Sequence, residues 1–139
     1  MPYALRSDVE IDIPPAFLIQ ALDDDGDGIE DPGLWDAILA GTDAEIDGFL
    51  SRRYPLPLAV SPPALRAGAA VLVCERIHGR RGLHGEKNPF TKRAEDFRKL
   101  LESIASGKAS LDVGQAPARP PISVIGEQAG TVPRQRLNG

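Results

Sequence analysis

One cysteine, one tryptophan and two histidines among 139 residues leave little raw material for a chemical site. Cys74 has no second cysteine to pair with, and its place in an apolar helical pattern reads as a small buried thiol rather than a reactive one. His78 and His84 come without an H-E-x-x-H or a paired C-x-x-C, which argues against zinc. The H-x-E of His84 to Glu86 lacks the P-C-x-x-C that accompanies it in zinc deaminases. Absent too are G-x-S-x-G, a Walker loop and G-x-G-x-x-G. The chain is therefore not expected to be an enzyme, and no catalytic, cofactor-binding or metal-ligating residue is assigned. No apolar run reaches the roughly 18 residues of a membrane helix, and the start carries no signal peptide. A soluble protein made in a cytoplasm is expected.

What is present suits one small helical domain. Aromatics make up only 5%, so the core should be built from Leu, Ile, Val and Ala. A chain of this length buries roughly two thirds of its unfolded surface as a single domain. The formal charge of −4 is unevenly spread: residues 1–50 hold 13 acids against Arg6, and residues 51–111 hold 12 bases against 5 acids. Such a split predicts two faces of opposite sign, suited to head-to-tail contact between copies.

Periodicity places the elements. Ser7 and Asp8 can cap a short helix or turn, and Pro14 and Pro15 open a short buried helix over 14–22. Trp35, Ile38, Leu39, Thr42, Ile46, Phe49 and Leu50 form one stripe of a main helix over 34–54. Gly41 and the Thr42 to Glu45 capping box leave open a break into two helices. Ser61 can cap a helix beginning at Pro62 and Pro63 and running to about His78, in which the small run Ala67 to Ala70 admits a close neighbour. Residues 79–88 read as a basic, glycine-rich loop. A last helix starts between Asn88 and Thr91, carries Ala94, Phe97, Leu100, Leu101, Ile104 and Ala105 on one stripe, and stops at Gly107.

The expected fold is thus all-α, a bundle of about four helices over residues 1–111, followed by an extended Pro/Gly-rich C-terminal tail over 112–139. The tail has too little apolar surface for a core of its own and is expected to order on a partner or a neighbouring copy. Within it Ile122 to Ile125, ISVI, is strand-like and fit to pair with an exposed edge or to lie in a groove on a partner.

Two clusters carry potential chemistry. Asp23, Asp25, Asp27 and Gly28 have the D-x-D-x-D-G spacing of calcium loops, with Asp31 able to complete a looser site. The EF-hand register then fails, with Glu30 at the eighth position and Leu34 in place of the bidentate Glu at the twelfth. A solvated turn favouring the N-terminus of the next helix explains the same acids. Arg76, Arg80, Arg81, Lys87, Lys92 and Arg93 could meet phosphates, but stacking aromatics are missing and the acidic first third would repel a nucleic-acid backbone.

The most specific stretch is Ala44 to Leu58, AEIDGFLSRRYPLPL. Ile46, Phe49 and Leu50 share one helical side, Arg52 and Arg53 complement the helix C-terminus, and Pro55 forces Tyr54 out of the α region. Together with DDDGDG, Pro62, Leu65 and the late IASGKASL, this stretch resembles the head–tail connector family of Mu-like bacteriophages and prophages, with Phe49 where the family usually has Tyr. The resemblance covers roughly residues 2 to 111. It implies a structural virion protein at the head–tail interface, an adaptor forming a twelvefold ring. That ring would join the portal protein to a tail-side stopper or tail-terminator protein and line the channel for phage DNA. Arg52, Arg53 and the Pro55 to Leu58 corner are then the expected contacts with the next subunit. A small calcium-binding helical module and a DNA-binding helical regulator are the alternatives.

Overall fold

Each helix of the computed structural model, which describes residues 2–111, begins or ends where a local signal requires it. The short α1, Arg6–Glu10, is closed at its start by the Asp8 carboxylate, which accepts the Leu5 N–H at 2.8 Å. Asp8 therefore acts from inside the helix, holding Leu5 at the cap position. Helix α2, Pro15–Ala21, has Pro14 as its N-cap and Pro15 at its first position, where a missing N–H would have no partner anyway.

Helix α3, Leu34–Leu50, is continuous. Gly41 does not break it, because a Cβ there would come within 3.0 Å of Arg76 Nη1: the glycine leaves room for a guanidinium. Thr42 is buried and bonds back to the Ile38 carbonyl at 2.9 Å instead of capping a new helix. The helix stops at Leu50, short of the expected Tyr54. The N–H groups of Arg53 and Tyr54 both close on the Leu50 carbonyl at 2.9 Å, and the chain turns there before Pro55.

Helix α4, Pro63–Arg80, corrects the expected start. Ser61 is not the cap: Pro62 takes that place with an extended backbone, and Pro63 fills the first helical position. The helix also runs two residues past His78, so the expected 79–88 loop is shorter and holds a 3₁₀ turn at Gly85–Lys87. Helix α5, Thr91–Ala105, is preceded by a buried Asn88 whose amide donates to the Glu75 and Leu83 carbonyls and whose oxygen accepts the Phe90 N–H. Gly107, with φ of 88°, ends it as a left-handed C′ residue, and the Lys108 N–H returns to the Ser103 carbonyl at 2.8 Å.

Five helices and no strand occur among the described residues, so the fold is all-α as expected. The three long helices α3, α4 and α5 pack against one another, and α1 and α2 lie on α4. Helix α4 is the centre, burying Leu65, Ala69, Leu72, Val73, Cys74 and Ile77. The expected stripes face this core with one exception: Leu100 stays 39% exposed. The tail over 112–139, including the ISVI segment, lies outside the described residues.

Close approach of α4 and α5 rests on Gly68. A Cβ there would fall 2.0 Å from Phe97 Cε1, so the ring lies on bare backbone. Beside it Arg98 joins all three long helices, bonding Glu45 at 2.6 Å and Glu75 at 2.8 Å, while Arg76 bonds Glu45 at 2.7 Å. Burial works against charge on Glu45, but the two guanidiniums win and hold its carboxyl below the ordinary carboxylate range.

Two outcomes follow from this packing. Gly68→Ala should destabilise by about 1–3 kcal/mol, since the new Cβ would overlap the buried Phe97 ring and force it to shift. Gly48→Ala, at an exposed helical position with no atom within 4 Å of the new Cβ, should stabilise by about 0.5–1 kcal/mol. Urea denaturation of both variants checks the pair. For the ion pairs, the lowered Glu45 value means that its stabilisation is fully present above the unfolded value near 4.5 and is lost as pH falls through the folded one. Glu45→Gln should therefore cost about 1–2 kcal/mol at pH 7, a figure already reduced for the partial exposure of the pair. The cost should shrink towards pH 3, as read from melting temperatures across that range.

Candidate functional site

Folding pairs the acidic and basic halves of the chain with each other. Asp8 meets Arg66 at 2.9 Å, Asp12 meets Arg93 at 3.5 Å, Asp24 meets Arg80 at 2.5 Å, and Glu45 takes both Arg76 and Arg98. The expected faces of opposite sign are thus largely spent on intramolecular pairs. The reason is topological: the acids lie on α1, on α3 and in the segments flanking α2, and α1, α2 and α3 each pack on α4 or α5, which carry the bases.

Four of the six residues expected to meet phosphates are drawn into the same scheme, while Lys87 is exposed. Besides Arg76, Arg80 and Arg93, Lys92 pairs with Asp96 at 2.8 Å, and Arg81 lies over the Phe17 ring at 5.7 Å. The two histidines do not converge on a metal. His78 stacks on Phe17 at 4.7 Å and bonds the Cys74 carbonyl at 3.0 Å, a packing role. Cys74 is fully buried, and that burial pushes its thiol up to about 12, in keeping with an inert core residue.

The acidic turn after α2 does converge. One carboxylate oxygen from each of Asp23, Asp25, Asp27 and Asp31 lies within 4.8 Å of the others, so these four could hold a divalent cation. Glu30 turns away and forms an ion pair with Arg6. The backbone already employs oxygens of these carboxylates. Asp23 accepts from the N–H groups of Gly26, Asp27 and Gly28, Asp27 from Ile29, and Asp31 from Asp24. Gly26 and Gly28 carry positive φ of 76° and 84°, which lets the chain wrap around Asp23. A hydrogen bond shared with Asp23 raises the Asp25 carboxyl, as expected of two acids held side by side.

A groove of about 930 Å³ opens on the other side of α3. One wall is α3, with Leu39 and Ala40 beside Asp36, Asp43 and Asp47. Pro2, Tyr3 and Leu5 of the N-terminal segment, the corner Leu56 to Ala59, Ser61, and Arg66 of α4 form the rest. Tyr3 ties the N-terminal wall to α3: its N–H donates to Asp43 at 3.1 Å and its hydroxyl to Asp47. Burial, then the Asp47 carboxylate, raises the Tyr3 phenol, and burial raises the Asp43 carboxyl. The corner expected to meet a neighbour divides in two. Arg53 is buried, with 4% exposure, and donates to the Ile104 carbonyl at 3.2 Å, so it belongs to the core and not to a contact surface. Arg52 is exposed, while Leu56 and Leu58 half-cover the core and line the groove. Reading the sequence for chemistry missed this groove. The signal was the spacing of Asp36, Asp43 and Asp47, which at i, i+7 and i+11 fall on one side of a helix.

Residues 3–125 match the model of the family described as Bacteriophage Mu, Gp36. The chain belongs to this family. No curated protein matches it. Membership in the Mu Gp36 family bears out the resemblance read from AEIDGFLSRRYPLPL and makes this a Mu-like bacteriophage protein of the structural, virion-related kind. No helix among the described residues is long and apolar enough to cross a membrane.

The wrapping of the acidic turn can be checked directly. Asp23→Ala should speed amide hydrogen exchange at Gly26, Asp27 and Gly28 by removing their acceptor, whereas Asp36→Ala, on the exposed side of α3, should leave those amides unchanged.

Proposed function

We propose that this Mu Gp36 family protein is a head–tail connector subunit that assembles as a ring, twelvefold as its family resemblance implies. The ring joins the portal to tail-side neck proteins and surrounds the path of the DNA. The observation that carries the reading is the family match over residues 3–125, which spans the whole described fold.

The fold is compatible with such a part. Its long helices are locked by apolar packing and by ion pairs between them, giving a rigid block that can repeat around an axis. Ile11 at 81% exposure, Ile29 at 68% and Val60 at 58% give apolar points of contact beyond the core. The acids left without a basic partner, Asp25, Asp27 and Asp36 among them, are exposed and would keep a channel wall from binding DNA. The DNA-regulator reading is weakened, since Arg76, Arg80, Lys92 and Arg93 already have acidic partners.

Negative-stain imaging of the purified protein, alone and with the portal, tests the proposal. High-order rings with an open centre are expected, at the latest on contact with the portal. Monomers under both conditions would overturn the connector reading, and closed particles would overturn the channel.

A further inference from the structure

The groove beside α3 has a candidate occupant within the same chain. Leu111, the last described residue, packs on the core and donates its N–H to the Tyr54 hydroxyl at 2.8 Å. Tyr54 leads directly through Pro55 into Leu56, Pro57 and Leu58, which line the groove. The chain therefore leaves the described fold beside the segment that forms the groove wall. Fourteen residues, 112–125, separate this point from the end of the family match. At about 3.3 Å per residue they span up to roughly 45 Å, well beyond the length of α3.

Composition fits the seat. Residues 113–125 contain no acid, one base at Arg119, and the apolar run Pro120, Pro121, Ile122, Val124 and Ile125. The groove offers the complement: apolar Leu5, Leu39, Leu56 and Leu58 beside Asp36, Asp43 and Asp47. Its one cation, Arg66, is held by Asp8. Leu5 is 45% exposed at this site, which an apolar occupant would correct. The family match reaches Ile125, so this segment belongs to the family pattern together with the helical fold, while residues 126–139 do not.

We infer that residues 113–125 dock in the groove of their own chain, with the Ile122 to Ile125 run on the Leu39, Leu56 and Leu58 wall and Arg119 facing the α3 acids. Tethering at Leu111 supplies the segment at high effective concentration, so a modest apolar contact suffices. This gives the segment a seat within its own chain, where the sequence pointed to a partner, and it holds whether or not the protein forms a ring.

Cysteine pairs in the full chain test it. Ala40 is exposed in the groove, and Ser123 lies between the apolar residues of the run. Cys74 is sealed in the core and is left in place. Under mild oxidation Ala40→Cys with Ser123→Cys should close to a disulfide within one chain. The rate should be about tenfold or more above that of Glu86→Cys with Ser123→Cys, since Glu86 lies beyond the far end of α4. Arg119→Glu should slow the first pair severalfold. Equal rates for the two pairs, or a disulfide joining two chains on a non-reducing denaturing gel, would overturn the docking. A rate unaffected by Arg119→Glu would overturn the charge pairing that orients the segment.

Discussion

The Phe97 ring resting on the bare backbone of Gly68 is the constraint from which much of the remaining geometry follows. It brings α4 and α5 closer than side chains on both helices would permit, and fixes their register. Arg98, one residue further along α5, is thereby carried to where Glu75 of α4 and Glu45 of α3 both lie within hydrogen-bonding distance. The ion pairs thus sit on a spacing set by packing. Their contribution is to choose one arrangement of the three helices among several that an aliphatic core would tolerate.

The same packing decides what the charges do. In sequence, the acids gather before residue 50 and the bases after it. In space, the helices and connections that carry them lie against each other, so Asp8, Asp12, Asp24 and Glu45 each find an arginine within the chain. What is left over includes the exposed bases Arg52, Lys87 and Lys99 and two acidic places: the turn wrapped around Asp23, and the side of α3 that walls the groove. A Mu Gp36 family protein of this structure presents acidic surface at the turn and at the groove, and apolar surface in the groove and at Ile11, Ile29 and Val60. That is a narrower description than two opposite faces, and it tells a partner where contact would be favourable.

Much of the fold was legible before any coordinates. The stripe from Trp35 to Leu50, the stripe from Ala94 to Ala105, the proline starts of α2 and α4, and the Gly107 stop all depend on contacts within a few residues. Local backbone preferences and helical periodicity suffice for those. The errors fell where a distant residue intervened. The break left open at Gly41 was closed by Arg76, which fills the space beside it, and Arg53 looked like a surface cation until the Ile104 carbonyl took it inside. Ser61 was the better cap by residue type, yet the chain reached α4 with Pro62 in that position. The groove was hidden for the same reason, since its walls come from four separated segments.

By itself, then, the sequence determined an all-α chain, the faces its helices bury, the inert place of Cys74 and, through one irregular motif, membership in a phage family. These rest on short-range periodicity and on a pattern of residues long enough to be distinctive. Tertiary structure alone decided which acid meets which arginine, which of two adjacent arginines is buried, and that the corner after Tyr54 forms a groove with α3 and the N-terminus. Those outcomes depend on how closely two helices approach, and here that distance is set by the missing side chain at Gly68.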